Sequence, residues 1–314
     1  MPLIWQFELT MNQRYNMISA CIQSMSKLPQ SILKRIKALL ENLRFDKGSR
    51  LEDLLAQLSA EDARIRWEAA EALSRYANQP KVVEALIDAL GDPHPFVQWQ
   101  AGESLTKCKD TRLLDLLKGA LASKNHLRRS GAAYVLGKLG DKSAMGALCK
   151  ALDSRNAQVR CSAAEALTHL ADASALPALV KAMSDDDAHV RRIAAQALGA
   201  IGSPEAVPVL LNALEDKSAP VRASAAAALG KIGEQKAMAA LQRLLHDHDP
   251  GVRWHAVRAL SIIGDREILP SLTVLLHDET EVFGLSIAEA ARQAINSIEQ
   301  REKKQARREN SRVS

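Results

Sequence analysis

Aromatic side chains are scarce in this chain of 314 residues: four Trp, three Tyr and four Phe. Alanine and leucine carry its apolar content instead, and side chains that small suit helices packed closely along their length. Long alternating stretches of strand-forming residues are missing, which argues against a sheet. No run of about 18 apolar residues occurs, so the sequence holds no candidate for a membrane-spanning helix. Glu8 and Arg14 interrupt the N-terminal apolar stretch, and no basic segment precedes it, so it does not read as a secretory signal. The four cysteines (Cys21, Cys108, Cys149 and Cys161) form no CxxC pair. They read as free thiols of a reducing cytoplasm rather than as disulfides or a zinc site. A glycine-rich phosphate loop and a nucleophile elbow are also missing.

The net charge of +5 is unevenly spread. Residues 1–49 hold seven Lys/Arg against three Asp/Glu, and residues 301–314 hold six against two. The middle therefore carries 29 against 32 and is slightly acidic. The basic balance comes from the ends, so the body of the chain does not present a nucleic-acid-binding surface.

What the sequence has in abundance is repetition. A segment of the form Val-Arg-x-x-Ala-Ala-x-Ala-Leu-Gly begins at Val190 and again at Val221, with looser copies from Ile65, Val97, Arg128, Val159 and Val252. Its leucine falls at 73, 105, 136, 167, 198, 229 and 260, one step of 32 and then steps of 31. Counting from the first position of the segment, offsets 0, 4, 5 and 8 make one helical stripe. A shorter apolar half precedes each copy, with Pro177, Pro208 and Pro270 in its first turn, where the missing N–H has no intrahelical partner. Between the halves lie turns such as Ser184-Asp185-Asp186-Asp187, which supply N-cap oxygens. Gly202, Gly233 and Gly264 follow the second half and terminate it. Two helices per repeat, each unit stacked on the next, predict an all-α solenoid of about eight helix pairs. The units are 50–80, 81–111, 112–142, 143–173, 174–204, 205–235, 236–266 and 267–299, the eighth departing from the pattern at Phe283 and Gly284. Residues 1–49 are expected to form a helical cap, with Ile32, Leu33, Ile36, Leu39, Leu40 and Leu43 as its stripe. Residues 300–314 are expected to be a basic, disordered and solvated tail.

At these positions the sequence resembles the HEAT-like repeats of the phycobilisome (PBS) lyase type, over about 50–299. The resemblance implies an armadillo-like, right-handed superhelix that works as a scaffold, with its second helices on the concave face. It also implies two further functions: a phycobilin lyase or chromophore-chaperone subunit, often half of a hetero-oligomer, and a deoxyhypusine-hydroxylase-like oxidoreductase. The hydroxylases bind iron through His-Glu pairs, which would fall at offsets 2 and 3. Those offsets hold Trp67-Glu68, Trp99-Gln100, Ser130-Gly131, Cys161-Ser162, Arg192-Ile193, Ala223-Ser224 and Trp254-His255, so the ligands of such a site are absent. His246, Asp247, His248 and Asp249 alternate along a turn and do not preset a ligand face. No cofactor, metal or catalytic residue is expected.

Function is expected where the repeats disagree. Offsets 2, 3 and 6 vary while the stripe hardly does, and they include Trp67, Glu68, Glu71, Trp99, Gln100, Glu103, Tyr134, Arg192, Trp254, His255 and Arg258. Tryptophan offers large contact area and a donor at low entropic cost. Two readings fit: a groove for a protein partner, or rings that pack on neighbouring repeats. The arginines at offset 1 (Arg66, Arg129, Arg160, Arg191, Arg222 and Arg253) each follow a turn with carboxylates such as Asp187, Asp216 or Asp249. They are expected to form a structural Arg–Asp ladder like that of HEAT repeats rather than a phosphate-binding stripe.

Overall fold

A computed structural model describes residues 47–313. The chain divides into two compact units, 1–54 and 55–314. Of the first unit only residues 47–54 are described; the expected cap, with its stripe from Ile32 to Leu43, lies outside the described residues.

Helix α1 is Lys47–Gln57 and α2 is Ala63–Leu73. Helix pairs follow: α3 Pro80–Ala89 with α4 Pro95–Leu105, α5 Leu113–Ala120 with α6 His126–Leu139, and α7 Met145–Ala151 with α8 Ala157–Leu170. Then come α9 Leu176–Ala182 with α10 Ala188–Ile201, α11 Val207–Ala213 with α12 Ala219–Ile232, and α13 Met238–Arg243 with α14 Pro250–Ile263. The last pair is α15 Leu269–Thr273 with α16 Ile287–Val313. The second unit is thus an all-α solenoid.

Local chemistry sets the helix boundaries. Asn125, Asn156, Asp187 and Asp249 N-cap α6, α8, α10 and α14, each accepting a backbone N–H of the first turn. The short first helices are preceded by 3₁₀ turns capped by Asp141, Asp172, Ser203 and Asp265. Gly140, Gly202 and Gly233 end α6, α10 and α12 with φ of 70°, 72° and 83°. Gly264 differs from the expectation of such a cap. Its φ is −69°, and it is required because a β-carbon there would lie 2.5 Å from the Leu260 carbonyl oxygen.

The stripe forms the core: Val190, Ala194, Ala195 and Leu198 are wholly buried, as are Val221, Ala225, Ala226 and Leu229. From α6 onward the second helices pack on one another far more closely than the first helices do. The second helices are therefore the more closely packed layer of the stack. The glycine of the repeat marker makes this spacing possible. A β-carbon on Gly137, Gly199 or Gly230 would meet the α-carbon of Ala166, Ala228 or Ala259 on the next second helix at 2.6–2.8 Å.

The last unit departs furthest from the pattern. Where Val-Arg would stand, the chain makes a two-stranded hairpin, β1 Glu281–Val282 paired with β2 Leu285–Ser286, with Phe283 and Gly284 at positive φ in its turn. The second half starts only at Ile287, yet α16 then runs to Val313, so the tail expected from residue 300 is helical instead. The segment lacks Gly and Pro and is built of strong helix formers, which need no buried face to continue a helix already anchored. Glu299 pairs with Lys303 one turn on. The Arg301 guanidinium donates to the carbonyls of Ser261, Ile262 and Gly264, capping the C-terminal end of α14.

Candidate functional site

At the first two repeats the second-helix layer carries an aromatic cavity of about 510 Å³ lined by Trp67, Phe96 and Trp99 together with Asp62, Arg64 and His94. The starts of α2 and α4 position these groups. Asp62 caps α2 through the Arg64 N–H at 2.8 Å, and the Arg64 Nε donates to Glu68 Oε1 at 2.9 Å. Pro95 fixes the first turn of α4 behind His94, whose ring lies 5.7 Å from that of Phe96. Phe96 is 68% exposed and Trp99 51% exposed, so two large aromatic side chains of one helix stand open to solvent around the same cavity. Phe96 was not among the residues singled out from sequence. Its signal was there, since offset −1 is Arg64, Leu127, Gln158, His189, Pro220 or Gly251 in the other repeats and aromatic only here.

Offset 6 continues the same face as an acidic strip. Glu71 and Glu165 are exposed, and Glu103 accepts from the Tyr134 hydroxyl at 2.6 Å. None of the three carboxylates forms an ion pair among the described residues. Burial, followed by the bond to Glu103, pushes the Tyr134 hydroxyl up to about 12. Gln100 does not join this face. It is buried 3.4 Å from Ser104 Oγ, which in turn donates to the Ala70 carbonyl, because offset 3 tilts into the seam between adjacent second helices. Ser130 and Ser162, 2.7 Å apart, lie buried in a similar seam.

Trp254, His255 and Arg258 stand at the far end of the array, on α14. Trp254 packs edge-on against both His255 and Phe283, at 4.9 and 5.1 Å, with the Arg258 guanidinium 5.2 Å from its ring centre. Burial, with Arg258 nearby, pushes the His255 imidazole below its ordinary range, so it is neutral at pH 7. Arg192 lies between the two clusters, its Nη1 3.4 Å from Gln196 Oε1. The fold therefore brings Trp67 and Trp99 together and sets Trp254 apart with a different neighbour, Phe283.

The offset-1 arginines serve the turns. Arg191 donates from Nε and Nη2 to both carboxylate oxygens of Asp216 at 2.7 and 2.9 Å, and from Nη1 to the carbonyls of Asp185 and Asp186. Arg66 joins both carboxylate oxygens of Asp92, Arg160 those of Asp185 and Arg222 those of Asp247, while Arg253 meets Asp278 at Oδ2 alone. Each arginine thus clamps its own turn to the following one. Asp187 and Asp249 are not rungs but helix caps. Among the described residues Arg129 donates only to its turn carbonyls, at Ser123 and Lys124.

Among the described residues no three His, Cys, Asp or Glu side chains are grouped to hold a metal ion. Burial first of all pushes the Cys161 thiol up to about 11, and a thiol protonated at neutral pH is a weak nucleophile. No described helix is long and apolar enough to cross a membrane.

Comparison with known proteins fits this architecture. The Escherichia coli protein YibA is 18% identical, with a TM-score of 0.59 over 82% of this chain and 93% of its own. Importin beta is 16% identical, with a TM-score of 0.57 over 79% of this chain and 41% of its own. The CpcE–CpcF complex of phycocyanin lyase from a Nostoc species is 25% identical over 79% of this chain and 94% of its own. Its TM-score is 0.38, too loose a likeness to bear on this chain's chemistry. No curated protein sequence matches. The PBS lyase HEAT-like repeat profile matches residues 128–154, and the HEAT repeats profile matches 51–137, 145–229 and 207–296. The chain belongs to the HEAT-repeat family.

Proposed function

We propose that this HEAT-repeat scaffold binds a protein partner along its second-helix face, anchored at the Trp67–Phe96–Trp99 cavity. The carrying observation is the exposure of Phe96 and Trp99 around a cavity large enough for a bulky apolar side chain. The acidic strip of Glu71, Glu103 and Glu165 favours a partner segment that follows its apolar anchor with Lys or Arg. An extended segment suits the geometry. In a polyproline-II chain every third side chain points the same way about 9 Å on, and packed helices stand about 8–10 Å apart. The product is a hetero-oligomer in which the scaffold supplies binding surface rather than chemistry, and the free thiols of Cys108, Cys149 and Cys161 favour a cytoplasmic setting for it. Affinity capture with wild type and with a Trp67→Ala/Trp99→Ala variant tests this. The variant is expected to lose the partner while keeping its helical circular dichroism; unchanged recovery by a folded variant contradicts the assignment.

A further inference from the structure

The Arg–Asp ladder is interrupted at two adjacent repeats, and the two interruptions differ. The partner of each ladder arginine lies 25 residues on, or 26 from Arg66 to Asp92. That aspartate does two things. It accepts the fork of the arginine, and it accepts a backbone N–H two residues further along its own turn, as Asp216 does from Ser218 and Asp185 from Asp187. In the second repeat both partners of the rung have changed together: Gln98 stands for the arginine and Ser123 for the aspartate. In the third repeat only the acceptor has changed. Ser154 keeps the turn, its Oγ accepting the Asn156 N–H at 3.3 Å, but it brings no carboxylate. Arg129 remains, held by Nη1 to the carbonyls of Ser123 and Lys124 much as Arg191 is held to its own turn, and its Nε and Nη2 meet no acceptor among the described residues.

This fork lines a cavity of about 530 Å³ whose wall also holds Lys118, Lys150 and Ser154. The one carboxylate in the wall, Asp153, is engaged at 2.6 Å by Lys181 of the next repeat. Lys118 reaches Asp115 only at 3.6 Å, and Lys150 is exposed with no ion pair among the described residues. Four of the five intact rungs, at Arg66, Arg160, Arg191 and Arg222, show what an Arg in this position is shaped to hold, namely two oxygens of one anion in bidentate geometry. Two further ammonium groups supply more positive charge than a single carboxylate would balance.

We infer that Arg129, Lys118 and Lys150 bind a phosphate group, with two of its oxygens in the place that the Asp216 carboxylate takes against Arg191. The site lies at the turns joining the helices of repeats three and four, away from the aromatic cavity, and does not depend on the protein-partner reading. Its test is a titration of the full chain with inorganic phosphate at constant ionic strength. Binding is read from the Arg129 Nε–H resonance and from the thermal unfolding midpoint, which ligand binding to the native state raises. Wild type is expected to respond saturably, and Arg129→Gln to bind at least about tenfold more weakly. Ser154→Asp rebuilds the rung, so it is expected to raise the midpoint without phosphate and to lose the phosphate response. No saturable response in wild type, a full response in Ser154→Asp, or acetate binding as tightly as phosphate would overturn the assignment.

Discussion

Arg191 and Asp216 are almost removed from water, with side chains 7% and 14% exposed, whereas Lys181 and Asp153 are 75% and 59% exposed. Enclosure decides what each pair contributes. Arg191→Met leaves the Asp216 carboxylate enclosed and uncompensated, and is expected to cost about 3 kcal/mol in denaturant unfolding. Lys181→Ala is expected to stay within about 0.5 kcal/mol, because water already screens the pair it removes. The ladder also sets an acid limit. Arg191 holds the Asp216 carboxyl below the ordinary carboxylate range. Its folded value is therefore depressed. The pair's stabilisation is complete above the unfolded value near 4 and is lost as pH falls below it towards the folded one. Unfolding free energy measured from pH 5 to pH 2 should decline over that span, and less steeply in Arg191→Met. The arginines could be read from their fixed place after the helix start. Their partners could not, because a carboxylate just before each arginine and one 25 residues on look alike in sequence, and only the fold makes the first a cap and the second a rung.

The second helices owe their spacing to glycines that the repeat marker contains but does not explain. Gly199→Ala would set a β-carbon 2.8 Å from the Ala228 α-carbon, a backbone atom that cannot step aside. The substitution is expected to destabilise by about 2 kcal/mol, although alanine is the better helix former by about 1 kcal/mol. Gly146→Ala on α7, with nothing within 4 Å of the added carbon, is expected to stabilise by about 0.5–1 kcal/mol. Thermal unfolding of both variants checks the pair. Helix pairs, turns and stripe were legible because each rests on local periodicity. The hairpin at 281–286 and the helical run through Val313 were not. The first arises where a broken repeat meets Trp254 through Phe283. The second depends on Arg301 finding the end of α14, and no local pattern encodes either contact. Gln100 was misplaced for a related reason, since a three-residue offset lies between groove and seam and the neighbouring helix decides.

Along the whole array the repeats are not equally joined. The ladder is interrupted at Ser123 and Ser154, and α4 meets α6 over less of its length than α6 meets α8. There Arg128 occupies the stripe position usually held by valine and turns to Asp88. A stack stabilised by nearest-neighbour interfaces opens first at its weakest one. Amide hydrogen exchange should therefore show residues 63–105 less protected than residues 157–263, with Ser154→Asp narrowing the difference. The same weakly joined end carries the aromatic cavity, so the surface assigned to the partner is also the part most able to adjust to it. The decisive measurement is the dissociation constant of the captured partner for three folded proteins: wild type, Phe96→Ala/Trp99→Ala at the near end, and Phe283→Ala at the far end. Loss of at least about tenfold in affinity for the near-end variant, with the far-end variant unchanged, is the expected result. Equal affinity for the near-end variant and wild type would contradict the proposed anchor.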